Sequence, residues 1–197
     1  MGLIGTTALA AHQIALQIAA ILFMVPFGIG MAATVRVGHA VGRGHAPAAK
    51  RAGLVATGLG VVFMSAMTLA VMLGRFAIGR FFFGEAAESA GVVIELTAAL
   101  LMVGATFFVA DGIQTVVAGA LRGMNDTRVP LLLAAISYWL IGFTAAYGLA
   151  FWADLGAIGV WIGLSCGTAV YALLLILRFQ WLADHLALAR LVRASRC

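Results

Sequence analysis

Apolar residues occupy this chain in long unbroken blocks rather than at the alternating or three-to-four-residue spacing of elements that keep one face in water. No Asp, Glu, Lys or Arg falls from Met1 to Val35, from Ala52 to Gly74, from Val129 to Ala153 or from Leu155 to Leu177. A fifth block, Leu96 to Leu121, is interrupted once, by Asp111. Each block exceeds the roughly 20 residues that carry a helix across a hydrocarbon core of ~30 Å. Inside lipid every backbone N–H and C=O needs an internal partner, so such blocks read as helices. The pattern predicts an all-α, polytopic membrane bundle with five transmembrane helices, at approximately 7–33, 52–74, 94–121, 129–153 and 155–178. A tail, 180–197, mixes apolar residues with Asp184, His185, Arg190 and Arg193, and is expected to lie along the inner membrane surface as an amphipathic anchor.

Composition sharpens the class. Hydrophobic residues make up 64% of the 197 and charged residues 10%, against about 25% charged in an ordinary soluble domain. Mean hydropathy is +1.11. Too few charges exist to cover a water-facing surface, and no soluble domain of useful size remains. The first block has no basic segment before it and is too long for a signal peptide's apolar core, so it is read as a true span. Cys166 lies within a block and Cys197 is the last residue; neither suggests a disulfide, and no metal-ligand spacing occurs.

Net charge is +5, yet the basic residues are sorted by loop, which argues for membrane orientation and against nucleic acid. Arg36, Arg43, Lys50 and Arg51 follow the first helix, Arg122 and Arg128 the third, and Arg178, Arg190, Arg193 and Arg196 the fifth. The alternate loops hold only Arg75 and Arg80, beside Glu85 and Glu88, and then Asp154. The positive-inside rule puts the N-terminus outside and the C-terminus in the cytoplasm of an inner (plasma) membrane protein. An outside N-terminus without a signal sequence implies a preceding helix, so the chain is expected to be part of a longer one.

Asp111 is the residue that composition does not explain. It lies some 16 Å or more from either end of its span, by the helical rise per residue, where a charged carboxylate costs ~2.5–3.5 kcal/mol even on the lenient insertion scale. A proton on the acid or a cation beside it relieves that cost, and a site that takes up and releases a proton or Na⁺ is the core of an antiporter. A structural hydrogen bond to a neighbouring helix is the alternative. Gln114 and Thr115, three and four residues on, share its face. In the first helix Gln13 and Gln17 also share a face, suited either to interhelical hydrogen bonding or to a cavity. Pro26 removes a backbone donor and should kink that helix. Glu95 is placed at the outer mouth of the third helix, and Ser137, Tyr138, Trp139 and Tyr171 read as packing or interfacial residues. Ala52, Ala56 and Gly60, and Gly159, Gly163 and Gly167, recur at the spacing of close helix packing. For Gly38 to Gly42 and Gly119 to Gly123, at helix ends, turns fit as well.

Other classes fit poorly. Haem redox chemistry wants paired histidines in the bilayer, and only His12 lies in a span. A hydrolase wants a nucleophile with a base in reach, and none is apparent; no enzyme activity and no cofactor are expected. A channel would need a ring that one acid supplies only in an oligomer.

The segments AAHQIALQI (Ala10 to Ile18), FMVPFGIG (Phe23 to Gly30) and VRVGHAVG (Val35 to Gly42) resemble the eighth helix and following loop of multidrug and toxic compound extrusion (MATE) transporters of the NorM-like branch. The segment ADGIQTVVAGALRGMNDTRVP (Ala110 to Pro130) is similar to their tenth helix and its cytoplasmic turn. The resemblance covers Thr6 to about Phe179 and implies helices eight to twelve of a twelve-helix, two-lobed antiporter that exchanges Na⁺ or H⁺ for organic cations. It implies that Asp111 binds the coupling ion, with Na⁺ as the possible metal. Gln13, Gln17, Gln114 and Thr115 would then be cavity or substrate candidates. Phe23 stands where some relatives place a tyrosine, so the aromatic face is kept and the hydroxyl lost. The partners implied are the bilayer, cationic drugs, and the first lobe and seventh helix that this chain lacks; without them the fragment is expected to be inactive alone. A non-transporting membrane subunit, or another member of the wider flippase and exporter superfamily, is the alternative.

Overall fold

The structure, a computed structural model, describes residues 5–83 and 90–194, with side chains for 5–82 and 91–185. Five long helices account for it: α1 (Thr6–Gly42), α2 (Ala46–Phe83), α3 (Ala90–Gly123), α4 (Arg128–Trp152) and α5 (Gly156–Ala194). Each is long and apolar enough to cross a membrane, and large apolar side chains such as Leu73 (80%), Trp139 (75%) and Trp152 (85%) stand exposed on their outer faces. An aqueous solvent would penalise that surface at ~25 cal/mol per Å²; a bilayer does not. The chain is a multi-pass membrane protein. Glu85, Glu88, Arg196, Cys197 and the side chains of Arg190 and Arg193 lie outside the described residues.

The helices outrun their charge-free blocks. Hydropathy marks only what lies in hydrocarbon, while the backbone ladder continues into the interfacial zone until a turn stops it. Gly44 stops α1 in the left-handed region at φ 69°: its N–H reaches Val41 O at 2.7 Å, and the His45 N–H reaches Ala40 O at 2.8 Å. Asn125 stops α3 the same way at φ 63°, with Asn125 N–H to Arg122 O and Asp126 N–H to Leu121 O, both 3.0 Å. Both are paired closures of a helix C-terminus. The stretch from Gln180, expected as a separate surface segment, continues α5 through Ala194, and the Lys50 ammonium meets the Asp184 carboxylate at 2.6 Å, joining its base to α2. Pro26 is buried and is accommodated inside an α1 assigned as one helix.

α3 is the hub, packed against α1, α2 and α5, and α4 reaches the bundle mainly through α5. α1 and α3 touch backbone to backbone. A Cβ on Gly119 would strike the Gly30 carbonyl, and one on Gly123 would stand 2.6 Å from Thr34 O. Thr34 Oγ closes the seam by donating toward Gly119 O (2.8 Å) and Gly30 O (3.0 Å). So Gly119 and Gly123 serve packing rather than a turn. Gly159, Gly163 and Gly167 line the α5 face that receives Leu149, Ala146 and Gly142 of α4, as their spacing predicts. Within α4, Ile136–Phe143 and Gly148–Trp152 are wound as π-helix. Two cores result. One gathers Val37, Val116, Leu121, Leu175 and Phe179; the other gathers Met64, Leu100, Leu101, Phe108 and Trp161, with Trp161 Nε1 donating to His12 Nδ1 at 3.2 Å.

Candidate functional site

Asp111 sits about two thirds of the way along α3, a helix packed against α1, α2 and α5, and its side chain is partly buried. Gln114, one turn on, donates from Nε2 to Asp111 Oδ1 at 2.7 Å. The carbonyl oxygen of the same amide accepts from the Tyr138 hydroxyl of α4 at 2.5 Å. A primary amide has one donor end and one acceptor end, and here both are used. The ionised carboxylate, which can only accept, takes the N–H end of the amide, and the tyrosine hydroxyl, able to donate or accept, donates to the oxygen that is left. Asp111 Oδ2 carries no hydrogen bond among the described residues and remains available.

Thr115 is on the same face, but its hydroxyl donates to the backbone carbonyl of Asp111 at 2.8 Å. That leaves only its lone pairs to face a cation. Beyond Gln114 and Thr115 opens a small cavity of about 240 Å³ lined by Phe23, Phe27, Gln114, Thr115, Ala118, Arg122 and Tyr171. Phe23 and Phe27 stand with ring centroids 5.8 Å apart, and Tyr171 lies 5.6 Å from Tyr138. The cavity's aromatic faces can take a cation through the ring quadrupole, although Asp111 does not line it and Arg122 does.

The structure thus brings Asp111, Gln114, Thr115 and Phe23 to one region. Gln13 and Gln17 are exposed on α1 and enter neither the Asp111 network nor this cavity. Glu95 is exposed near the start of α3. Sequence reasoning passed over Tyr138, Tyr171 and Phe27. Two of these were read as packing aromatics, because nothing in the periodicity of α4 says that one of its tyrosines faces a polar group on α3. Among the described residues no group of three or more His, Cys, Asp or Glu could hold a metal.

The described residues form a helical membrane bundle with a hydrogen-bonded carboxylate within its central helix, and similarity to known proteins narrows the class. The family model described as MatE matches residues 1–148, about three quarters of the chain. The chain belongs to the MATE family. It is 64% identical over 186 residues to the probable multidrug resistance protein NorM of Bradyrhizobium diazoefficiens, covering 94% of this chain and 40% of that one. It is 48% identical over 196 residues to the multidrug resistance protein NorM of Burkholderia vietnamiensis, covering 100% of this chain and 41% of that one. The chain therefore spans about 40% of the length of the curated relatives it matches. Solved structures share the fold. The eukaryotic MATE transporter AtDTX14 aligns with TM-score 0.81 at 23% identity, over 91% of this chain and 40% of that one. A MOP superfamily transporter from Pyrococcus furiosus aligns with TM-score 0.85 at 22% identity, over 93% and 40%.

Proposed function

We propose that this chain is the carboxylate-bearing part of the C-terminal lobe of a multidrug efflux antiporter, exchanging Na⁺ or H⁺ for organic cations across the inner membrane. The observation that carries the reading is the Asp111–Gln114–Tyr138 chain of hydrogen bonds between α3 and α4, beside an aromatic cavity. Asp111 takes the coupling ion as cargo. Oδ2 is the free acceptor for a proton or a small cation, and Gln114 holds Oδ1 in place. Phe23, Phe27 and Tyr171 offer an organic cation apolar and aromatic surface. That the NorM relatives are named multidrug resistance proteins supports the substrate class.

The basic loops put the α1–α2 turn, the α3–α4 turn and the end of α5 in the cytoplasm. Helices eight to twelve of the family are the parts this chain supplies. Alternating access moves one bundle against another around a midplane site, so a first lobe and a seventh helix complete the machine and the chain alone does not transport. The decisive experiment is a chimera in which this chain replaces the matching segment of the Bradyrhizobium relative. Asp111→Asn in that chimera should abolish cation-driven efflux of a dye such as ethidium while membrane insertion is unchanged. Undiminished efflux would overturn the assignment and favour a structural role.

A further inference from the structure

A second groove lies away from Asp111 and shares none of its partners. Between α1 and α2, at the end of the bundle that carries the basic turns, runs a groove of about 540 Å³, within the range of small-molecule sites. Ile29, Arg36 and Arg43 succeed one another at heptad spacing along its α1 wall, and Arg51, Val55 and Leu59 at four-residue spacing along its α2 wall. The floor is alanine: Ala33, Ala40, Ala52 and Ala56 leave between the helices the volume that larger side chains would fill. The groove is thus graded along its length. Arg43 and Arg51 lie nearest the turn and Arg36 about 10 Å further along α1, with Ile29 about 10 Å beyond that by the rise per residue.

The charge there is unanswered. Among the described residues no carboxylate pairs with Arg36, Arg43 or Arg51, and none lines the groove, whereas Lys50 and Arg178 of the same end are held by Asp184 and Asp126. Arg122 and Arg128 at this end also have no carboxylate partner among the described residues, but only Arg36, Arg43 and Arg51 share one groove. A ligand that fits has an anionic head carrying phosphate oxygens, which guanidinium groups recognise with paired hydrogen bonds, and an apolar body extending toward the bilayer centre. Basic pockets between transmembrane helices on the cytoplasmic side take phospholipid heads in this way.

We propose that the groove between α1 and α2 binds an anionic phospholipid, its phosphate held by Arg36, Arg43 and Arg51 and an acyl chain laid along Ile29, Val55 and Leu59. The site is independent of the transport reading and uses none of its residues. Bound there, a lipid bridges α1, which carries Phe23, to α2.

The test is native mass spectrometry of the purified chain in detergent, titrated with phosphatidylglycerol or with phosphatidylcholine of the same acyl chains. Phosphatidylglycerol should be retained preferentially. A triple variant Arg36→Gln, Arg43→Gln, Arg51→Gln should weaken that retention at least tenfold, since each basic residue near an anionic lipid surface is worth about fivefold. Arg75→Gln with Arg80→Gln, which removes charge from the opposite end, should leave it unchanged. Because removing three charges could impair folding, a second variant fills the groove without changing charge: Ala32→Phe, at an exposed lining position, should lower retention as well. Equal binding of the two lipids, or equal loss in both arginine sets, would overturn the proposal. Displacement by millimolar glycerol phosphate would also overturn it, by showing a phosphate site that does not read the lipid. So would loss of binding in the chimera alone, by showing that protein covers the groove.

Discussion

Tyr138 turns a lone carboxylate into a built site. A single acid inside a span is costly by a few kcal/mol, and one hydrogen bond from a glutamine that could rotate would do little to specify its geometry. Tyr138 restrains that rotation by hydrogen-bonding the amide oxygen from a second helix. Removing its hydroxyl should therefore change how Asp111 handles its ion without removing the ion's ligand. In the chimera, Tyr138→Phe is expected to shift the cation concentration, or proton concentration, for half-maximal efflux by roughly fivefold, the equivalent of about 1 kcal/mol for one net hydrogen bond. Maximal efflux and expression should stay near the parent. An unchanged ion dependence would mean that Tyr138 only packs. Asp111→Asn, by contrast, is expected to remove ion dependence and efflux together.

Helices meet here through residues whose value is their lack of a side chain. Water exclusion does not draw apolar helices together in lipid, so close backbone approach must supply the contact. Gly163 of α5 faces the backbone of Ala146 on α4, and a Cβ added there would overlap it. Gly163→Leu should cost at least about 1–3 kcal/mol by overpacking and detach α4, carrying Tyr138 away from Gln114. Gly58 of α2 has nothing within 4 Å of an added Cβ, and Gly58→Ala should be neutral or stabilising by up to about 1 kcal/mol. Thermal unfolding of the two variants in detergent, followed by loss of the monodisperse peak, distinguishes them. A Gly163→Leu protein as stable as the Gly58→Ala protein would mean that α4 does not depend on that seam.

The molecule as a whole is a hub helix, α3, packed against α1, α2 and α5, with α4 held mainly through α5 and touching α3 at Tyr138. The orientation proposed from its loops is testable. In a variant lacking Cys166 and Cys197, a membrane-impermeant thiol reagent applied to intact cells should modify a cysteine placed at Asp154, in the α4–α5 turn. It should leave one placed at Arg43 unmodified; the reverse pattern would invert the proposed topology. This chain spans about 40% of the length of its relatives, and the transport proposed above needs the rest. Reconstituted alone into liposomes with an imposed ion gradient, it should move no dye above empty liposomes, while the chimera should. Gradient-dependent transport by the chain alone would show that it forms a working assembly without the other lobe.

The membrane class, the five spans and the sorting of basic loops are legible in the sequence, because lipid imposes its demand residue by residue along the chain. An unbroken apolar block either crosses or does not, and Asp111 is conspicuous for breaking one. Helix ends are less legible, since the backbone ladder outlasts the apolar block and stops at a turn such as Gly44 or Asn125. What faces what was decided only in three dimensions. Gln13 and Gln17 carry the same polar signal as Gln114, yet stand exposed on α1, while Tyr138, indistinguishable in sequence from the aromatic residues around it, completes the carboxylate's network. The rotation of each helix about its axis follows from which small residues pair across helices, as Gly30 with Gly119 and Gly163 with Ala146. That pairing joins positions far apart in the chain, and packing alone selects it.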